Sequence, residues 1–184
     1  MCMSDLNLHR VQYFSATTGQ YIGQFGSNGN GNGQFSCPFG MFSNGNILVA
    51  DHNNKRVQVF KEDGTFVQVI QCDGNATDVA VDNEGKIHVT IRNQHHVQVF
   101  SPDGKTHLHT YNNPAGNFSY PRGIAIDDEG YIFVSSNNGY LHVMSPDRKQ
   151  VKLISGLSVP WGVALDKDGY IYVADCNNKC ITKY

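Results

Sequence analysis

The sequence predicts an all-β chain of repeated four-stranded sheets, on three observations. One phrase recurs as VADHNNKRVQVF (49–60), VTIRNQHHVQVF (89–100) and VADCNNKCITKY (173–184). Tracked by the first apolar residue after its polar loop, the phrase places Val11, Val57, Val97, Leu141 and Ile181 at intervals of 46, 40, 44 and 40 residues. A second register, through CPFGMFSNGNILVAD, NATDVAVDNEGKIHV, YPRGIAIDDEGYIFV and VPWGVALDKDGYIYVAD, keeps the same period. No stretch shows the 3.6-residue periodicity of a helix. Four strands in roughly 43 residues, repeated, is the signature of propeller blades, sheets packed radially about an axis.

Each strand of a unit has its own justification, taken here as a to d from the axis outward. Strand a (GIAID, GVALD) is apolar and stops at a tight-turn sequence, DNEG, DDEG or DKDG. Strand b (YIFV, YIYV) is β-branched and aromatic, the composition of a strand. An Asn-rich loop leads to strand c, and the turns KEDGT, SPDGK and SPDRK lead to strand d in FVQVI, HLHTY and VKLI. The chain then reads as one domain: c-d over 9–26, full units over 38–70, 76–111 and 121–154, and a-b-c over 160–184. From Pro38 to the turn Gly45 is seven residues, where Ala76–Gly85, Pro121–Gly130 and Pro160–Gly169 span nine. The deficit predicts a shortened innermost strand with its in–out alternation intact.

The wording P-x-G-(I/V)-A-(I/V/L)-D-x-(D/E)-G, followed by V-A-D-x-N-N-x-R-V-Q-V-F, resembles the NHL repeat from about Leu8 to Tyr184. The Gly-His and Trp-Asp marks of WD-type blades are missing. The resemblance implies a β-propeller of a usually six-bladed family, of which this chain holds about four and a quarter repeats. Open terminal blades would invite self-association through their edges. An alternative closure into four blades lets the N-terminal c-d strands complete the blade begun by 160–175.

Length and composition set bounds. A chain of 184 residues buries a sizeable core. Net charge is -2 and the isoelectric point about 6.4, so no basic tail announces nucleic acid. No apolar run approaches a membrane span, so no membrane partner is expected. The start MCMSDLNLHRVQYF lacks a secretory signal, and five scattered cysteines suit a reducing, cytoplasmic setting. Cys176 and Cys180 flank one turn without the second ligand pair of a zinc site. The sequons Asn75-Ala76-Thr77 and Asn117-Phe118-Ser119 mean little without secretion.

Function is sought where blades differ at equivalent points. In a propeller the d-to-a and b-to-c loops open on one face, called here the first, and the a-to-b and c-to-d turns on the other. The second face carries eleven acids, from Glu62 to Asp168, against six bases. The first carries Arg10, Lys55, Arg56, Arg92, Arg122 and Lys179 against Asp51, Asp73, Asp78 and Asp175, and suits an anionic partner. Asp51 and Arg56 read as a structural loop tie. The paired asparagines at 53–54, 137–138 and 177–178 read as serving positive-φ positions and loop hydrogen bonds. The position opening strand a varies as Phe39, Thr77, Arg122 and Trp161; Tyr120 precedes the Arg122 segment, and Arg92, His95 and His96 rewrite the Asn-rich loop. The loop GSNGNGNGQFSCPFG (26–40) reads as mobile over this face.

The expectation is a non-catalytic binding module, with Lys55, Arg92, His95, His96, Tyr120, Arg122, Trp161 and Lys179 recognising a protein or single-stranded RNA. No catalytic residue, metal ligand or cofactor is assigned. Eight histidines fall on strands and loops without repeating at strand a, where an axial metal would be held, and there is no G-x-S-x-G elbow. The resemblance extends to the C-terminal propellers of tripartite-motif proteins, which implies target recognition for a ubiquitin ligase whose RING lies in a longer parent. The alternatives are a zinc-dependent amidating-lyase-like propeller and a purely structural scaffold.

Overall fold

The computed structural model describes residues 1–112 and 118–184, and in them eighteen strands form five antiparallel sheets. The first holds β1 (Cys2–Asp5), β2 (Arg10–Phe14) and β3 (Tyr21–Phe25). The second holds β4 (Pro38–Ser43), β5 (Asn46–Asp51), β6 (Arg56–Lys61) and β7 (Phe66–Gln71). The third holds β8 (Ala76–Val81), β9 (Ile87–Ile91), β10 (His96–Phe100) and β11 (His107–Tyr111). The fourth holds β12 (Pro121–Ile126), β13 (Ile132–Ser136), β14 (Tyr140–Met144) and β15 (Gln150–Ile154), and the fifth β16 (Pro160–Leu165), β17 (Ile171–Asp175) and β18 (Cys180–Lys183). Strands neighbour one another in chain order in every sheet, the meander of a propeller blade. The register breaks at the same place in all four a–b pairs, after Pro38, Ala76, Pro121 and Pro160.

Both faces of the middle strands are buried in the three four-stranded sheets, so apolar residues dominate there and the polar ones among them, such as Gln58, His88, Thr90 and His142, are buried too. One cluster sits between each pair of consecutive blades. Val11, Phe35 and Phe60 lie between the first and second, and Val57, Val79 and Val89 between the second and third. Val99, Phe118 and Ile132 follow, then Leu141, Ile154 and Val173. Alternation delivers the two faces of one strand to different clusters: Ile47 and Val49 point to one side, Leu48 and Ala50 to the other. Near the axis, β1 packs on β4, β4 on β8, β8 on β12 and β12 on β16. The first and last sheets instead leave Met3, Ile22, Tyr170 and Ile181 exposed.

Four expectations are corrected. The chain opens with a third strand, β1, ahead of the predicted c-d pair; its four residues follow no Gly-bearing turn that would mark them. The four-bladed closure does not occur, because β2 and β3 pair with β1 while β18 pairs with β17. Strand β4 is six residues long, as are β8, β12 and β16, so its turn absorbs the two-residue deficit. The loop at 26–40 is held down: Arg56 donates to the carbonyls of Asn30, Gly31 and Gln34 at 2.8 Å, and Phe35 is fully buried against Phe60.

Candidate functional site

Strand a starts at the axis, so the first residues of β4, β8, β12 and β16 converge there. Phe39, Thr77, Arg122 and Trp161 line one cavity of about 330 Å³, with Leu6 from the first blade and Asp78. Hydroxyls of neighbouring blades fasten this rim. Ser4 Oγ donates to the Phe39 carbonyl at 2.5 Å, Thr90 Oγ1 to that of Arg122 at 2.7 Å, and Ser135 Oγ to that of Trp161. The equivalent position of the second blade is Ala50, by the pairing of Ala50 with Val57 and of Thr90 with Val97. There His52 takes over: its Nδ1 lies 3.1 Å from the Ala76 carbonyl oxygen, so that nitrogen carries the proton. Burial lowers the pKa of His52.

Arg122 is 6% exposed. Its guanidinium carbon lies 4.0 Å from the Trp161 ring centroid, and Nη2 donates to Asn137 Oδ1 at 2.9 Å. Its Nε and Nη1 are buried without an acceptor, and burial is the largest influence lowering its pKa, followed by Arg92. Trp161 stands 5.4 Å from Phe39, centroid to centroid. Beside this pair, Arg92 lies over Tyr120 at 5.9 Å, and its Nε is likewise buried without an acceptor. His95 packs edge-on to Tyr120 at 4.4 Å, and its Nδ1 accepts the Tyr120 N–H at 3.0 Å. Arg92, His95, Tyr120, Arg122 and Trp161 thus form one aromatic and cationic cluster.

The other predicted residues make their own contacts outside this cluster. Lys55 and Lys179 are exposed and occupy left-handed positions at φ 54°, each held by its own N–H on a carbonyl three residues back. His96 Nε2 lies 3.1 Å from Asp73 Oδ1. Arg56 and Asp51 form a 2.7 Å ion pair with side chains 8% and 0% exposed; Asp51 also accepts from the Ser36 N–H, Asn54 and Gln58. The positive-φ positions belong to Lys55, His95, Gly139 and Lys179, not to the asparagines. Asn54 and Asn178 do make the expected loop hydrogen bonds, donating to Asp51 and Asp175 at 2.9 Å. Asn75 donates to the His52 carbonyl at 3.0 Å, whereas Asn117, which opens the other sequon, lies outside the described residues.

By sequence alone Asp78 is one of four acids of this face. It occupies the position filled by Gly40, Gly123 and Gly162 in the other blades, which is the signal that singles it out. Its Oδ1 accepts the Val79 N–H at 2.9 Å and its Oδ2 the Ile124 N–H at 3.1 Å, while burial raises its pKa to about 7.

The opposite face carries turn chemistry. Asp82, Asp127 and Asp166 each accept two backbone N–H groups of their own turn. Between the third and fourth blades His88 bridges Asp82 and the buried Tyr111, at 3.0 and 3.1 Å. Among the described residues, no group of three or more His, Cys, Asp or Glu is placed to hold a metal ion. No helix among them is long and apolar enough to cross a membrane.

Residues 40–60 and 157–184 match the model of the NHL repeat. The chain is 33% identical over 125 residues to the protein brain tumor of Drosophila melanogaster, which covers 62% of this chain and 12% of that protein. It is 32% identical over 131 residues to the B-box type zinc finger protein ncl-1 of Caenorhabditis elegans, covering 62% and 14%. The chain therefore matches only a small fraction of either relative's length. A solved streptogramin B lyase superposes with a TM-score of 0.72 at 14% identity, covering 100% of this chain and 64% of that one. That likeness is one of fold.

Proposed function

We propose that this NHL-repeat β-propeller is a non-catalytic binding module whose first face recognises an anionic partner, single-stranded RNA or an acidic protein surface. One observation carries the reading. Lys55, Arg92, Arg122 and Lys179 lie on the loops and strand starts of that face, and none belongs to an ion pair among the described residues. Tyr120 and Trp161 stand among them as stacking surfaces. The two other bases of the face are spoken for: Arg56 is locked to Asp51, and Arg10 engages Asp5 and Gln24. The relatives support a place in a larger protein, since the name of ncl-1 itself cites a B-box zinc finger. In that setting the propeller selects the target of a tripartite-motif ubiquitin ligase and leaves the transfer chemistry to other segments. Five free cysteines, one of them buried, favour a reducing compartment such as the cytoplasm.

Filter binding of U-rich single-stranded RNA at two salt concentrations tests the RNA form of this reading. Affinity is expected to fall steeply with salt. Replacing Lys55, Arg92 and Lys179 together by alanine should weaken binding about tenfold or more and flatten the salt slope by roughly one per lost phosphate contact. Weak, salt-independent binding that the triple substitution leaves unchanged would remove RNA as the partner.

A further inference from the structure

We infer that the axial cavity captures the C-terminal residue of a partner peptide, its carboxylate on Arg122, its backbone N–H on Asp78 and its apolar side chain against Phe39 and Trp161. The inference rests on the reading of the first face as a binding surface, and it names a peptide as the occupant of the axis.

Two unpaired charges on one cavity motivate it. The cation is Arg122, more than nine-tenths buried, with two N–H-bearing nitrogens lacking any acceptor. A buried guanidinium without a counter-ion is unfavourable, and stacking on Trp161 offsets only part of that cost. The blade does not need the charge, because Phe39, Thr77 and Trp161 fill the same position elsewhere. The acid is Asp78, whose oxygens each accept one backbone N–H and retain capacity for another. Blade geometry does not need this one either, since glycine serves at 40, 123 and 162. The two groups do not pair with each other, although both line the cavity.

An occupant that satisfies both must carry an anionic acceptor and an N–H donor a short distance apart, which is the chemistry of a peptide's last residue. A phosphodiester would meet Arg122 but carries no N–H to donate to Asp78. About 330 Å³ lies at the small end of ligand pockets and takes one residue. Phe39, Leu6 and Trp161 give its walls an apolar character that suits a large hydrophobic side chain. The buried nitrogens of Arg122 lie beneath Trp161, so the carboxylate reaches them as that ring turns aside.

Trp161 is the only tryptophan and therefore the reporter. The protein is titrated with the acetylated peptide Ac-Gly-Ser-Gly-Ser-Phe as the free acid and as the C-terminal amide, following tryptophan emission. The free acid should give a saturable change, and the amide should bind about tenfold more weakly or worse. Arg122→Met should abolish the response while raising the Tm of the free protein, the mark of a cation kept for a ligand and not for folding. Should that variant fail to fold, Asp78→Asn and the acid–amide comparison in the native chain carry the test. Equal response to acid and amide, no response to either at millimolar peptide, or a Trp161 response to U-rich RNA alone would each overturn the inference. If the peptides fail while RNA binding keeps its salt slope, the cavity assignment falls and the binding face stands.

Discussion

Arg56 shows how a single side chain serves the fold. It pairs with Asp51 and closes the glycine-rich loop by three further bonds to carbonyls. Arg56→Ala leaves the buried Asp51 carboxylate without its cation and should cost about 3–5 kcal/mol in denaturant unfolding. Limited proteolysis should then cut within 26–40, a segment the native chain should protect. Asp78 answers to pH instead. Burial lifts its pKa from 3.8 to about 7, so folding takes up a proton between those values. Stability is fully present below the unfolded value and is lost as pH rises through the folded one. Asp78→Asn removes this loss, so its Tm relative to the native chain should rise between about pH 4 and about pH 7. A difference that stays constant over that range would contradict the assignment. At this scale the sequence was only partly legible. The Asp51–Arg56 pair followed from their positions across one loop, but the positive φ at Lys55 and Lys179 did not, since lysine has no special liking for it.

Elements in this protein meet through glycine and hydroxyl contacts that period-counting does not reveal. A Cβ on Gly123 would run into the Trp161 carbonyl and the Val163 nitrogen of the next blade, whereas one on Gly162 meets nothing within 4 Å. Gly123→Ala should therefore destabilise the chain by about 2 kcal/mol or more, through backbone it cannot displace. Gly162→Ala should change stability by less than about 1 kcal/mol. Thermal unfolding of the two variants side by side checks the contrast, and equal losses would contradict the close approach of β12 to β16. The strands themselves were legible because alternation, turn sequences and the repeat period all agreed. Strand β1 was missed since CMSD carries no such agreement, and the shortening predicted for β4 went to its turn, where a two-residue change costs no blade contact.

The whole molecule joins four apolar interfaces between blades to two unlike faces. Acids on the second face are absorbed by their own turns, while the first face keeps unpaired cations and aromatic rings. This polarity was readable from the sequence once each charge was assigned to a loop; that Arg122 is buried under Trp161 was not, because burial depends on how four strands converge. The claim that the first face binds is tested most directly by hydrogen exchange on the chain with and without saturating U-rich RNA or the free-acid peptide. Protection should appear at residues 52–56, 92–96, 118–123 and 159–162, and the turns at 82–86 and 127–131 should exchange unchanged. Protection confined to those turns, or spread equally over both faces, would contradict it.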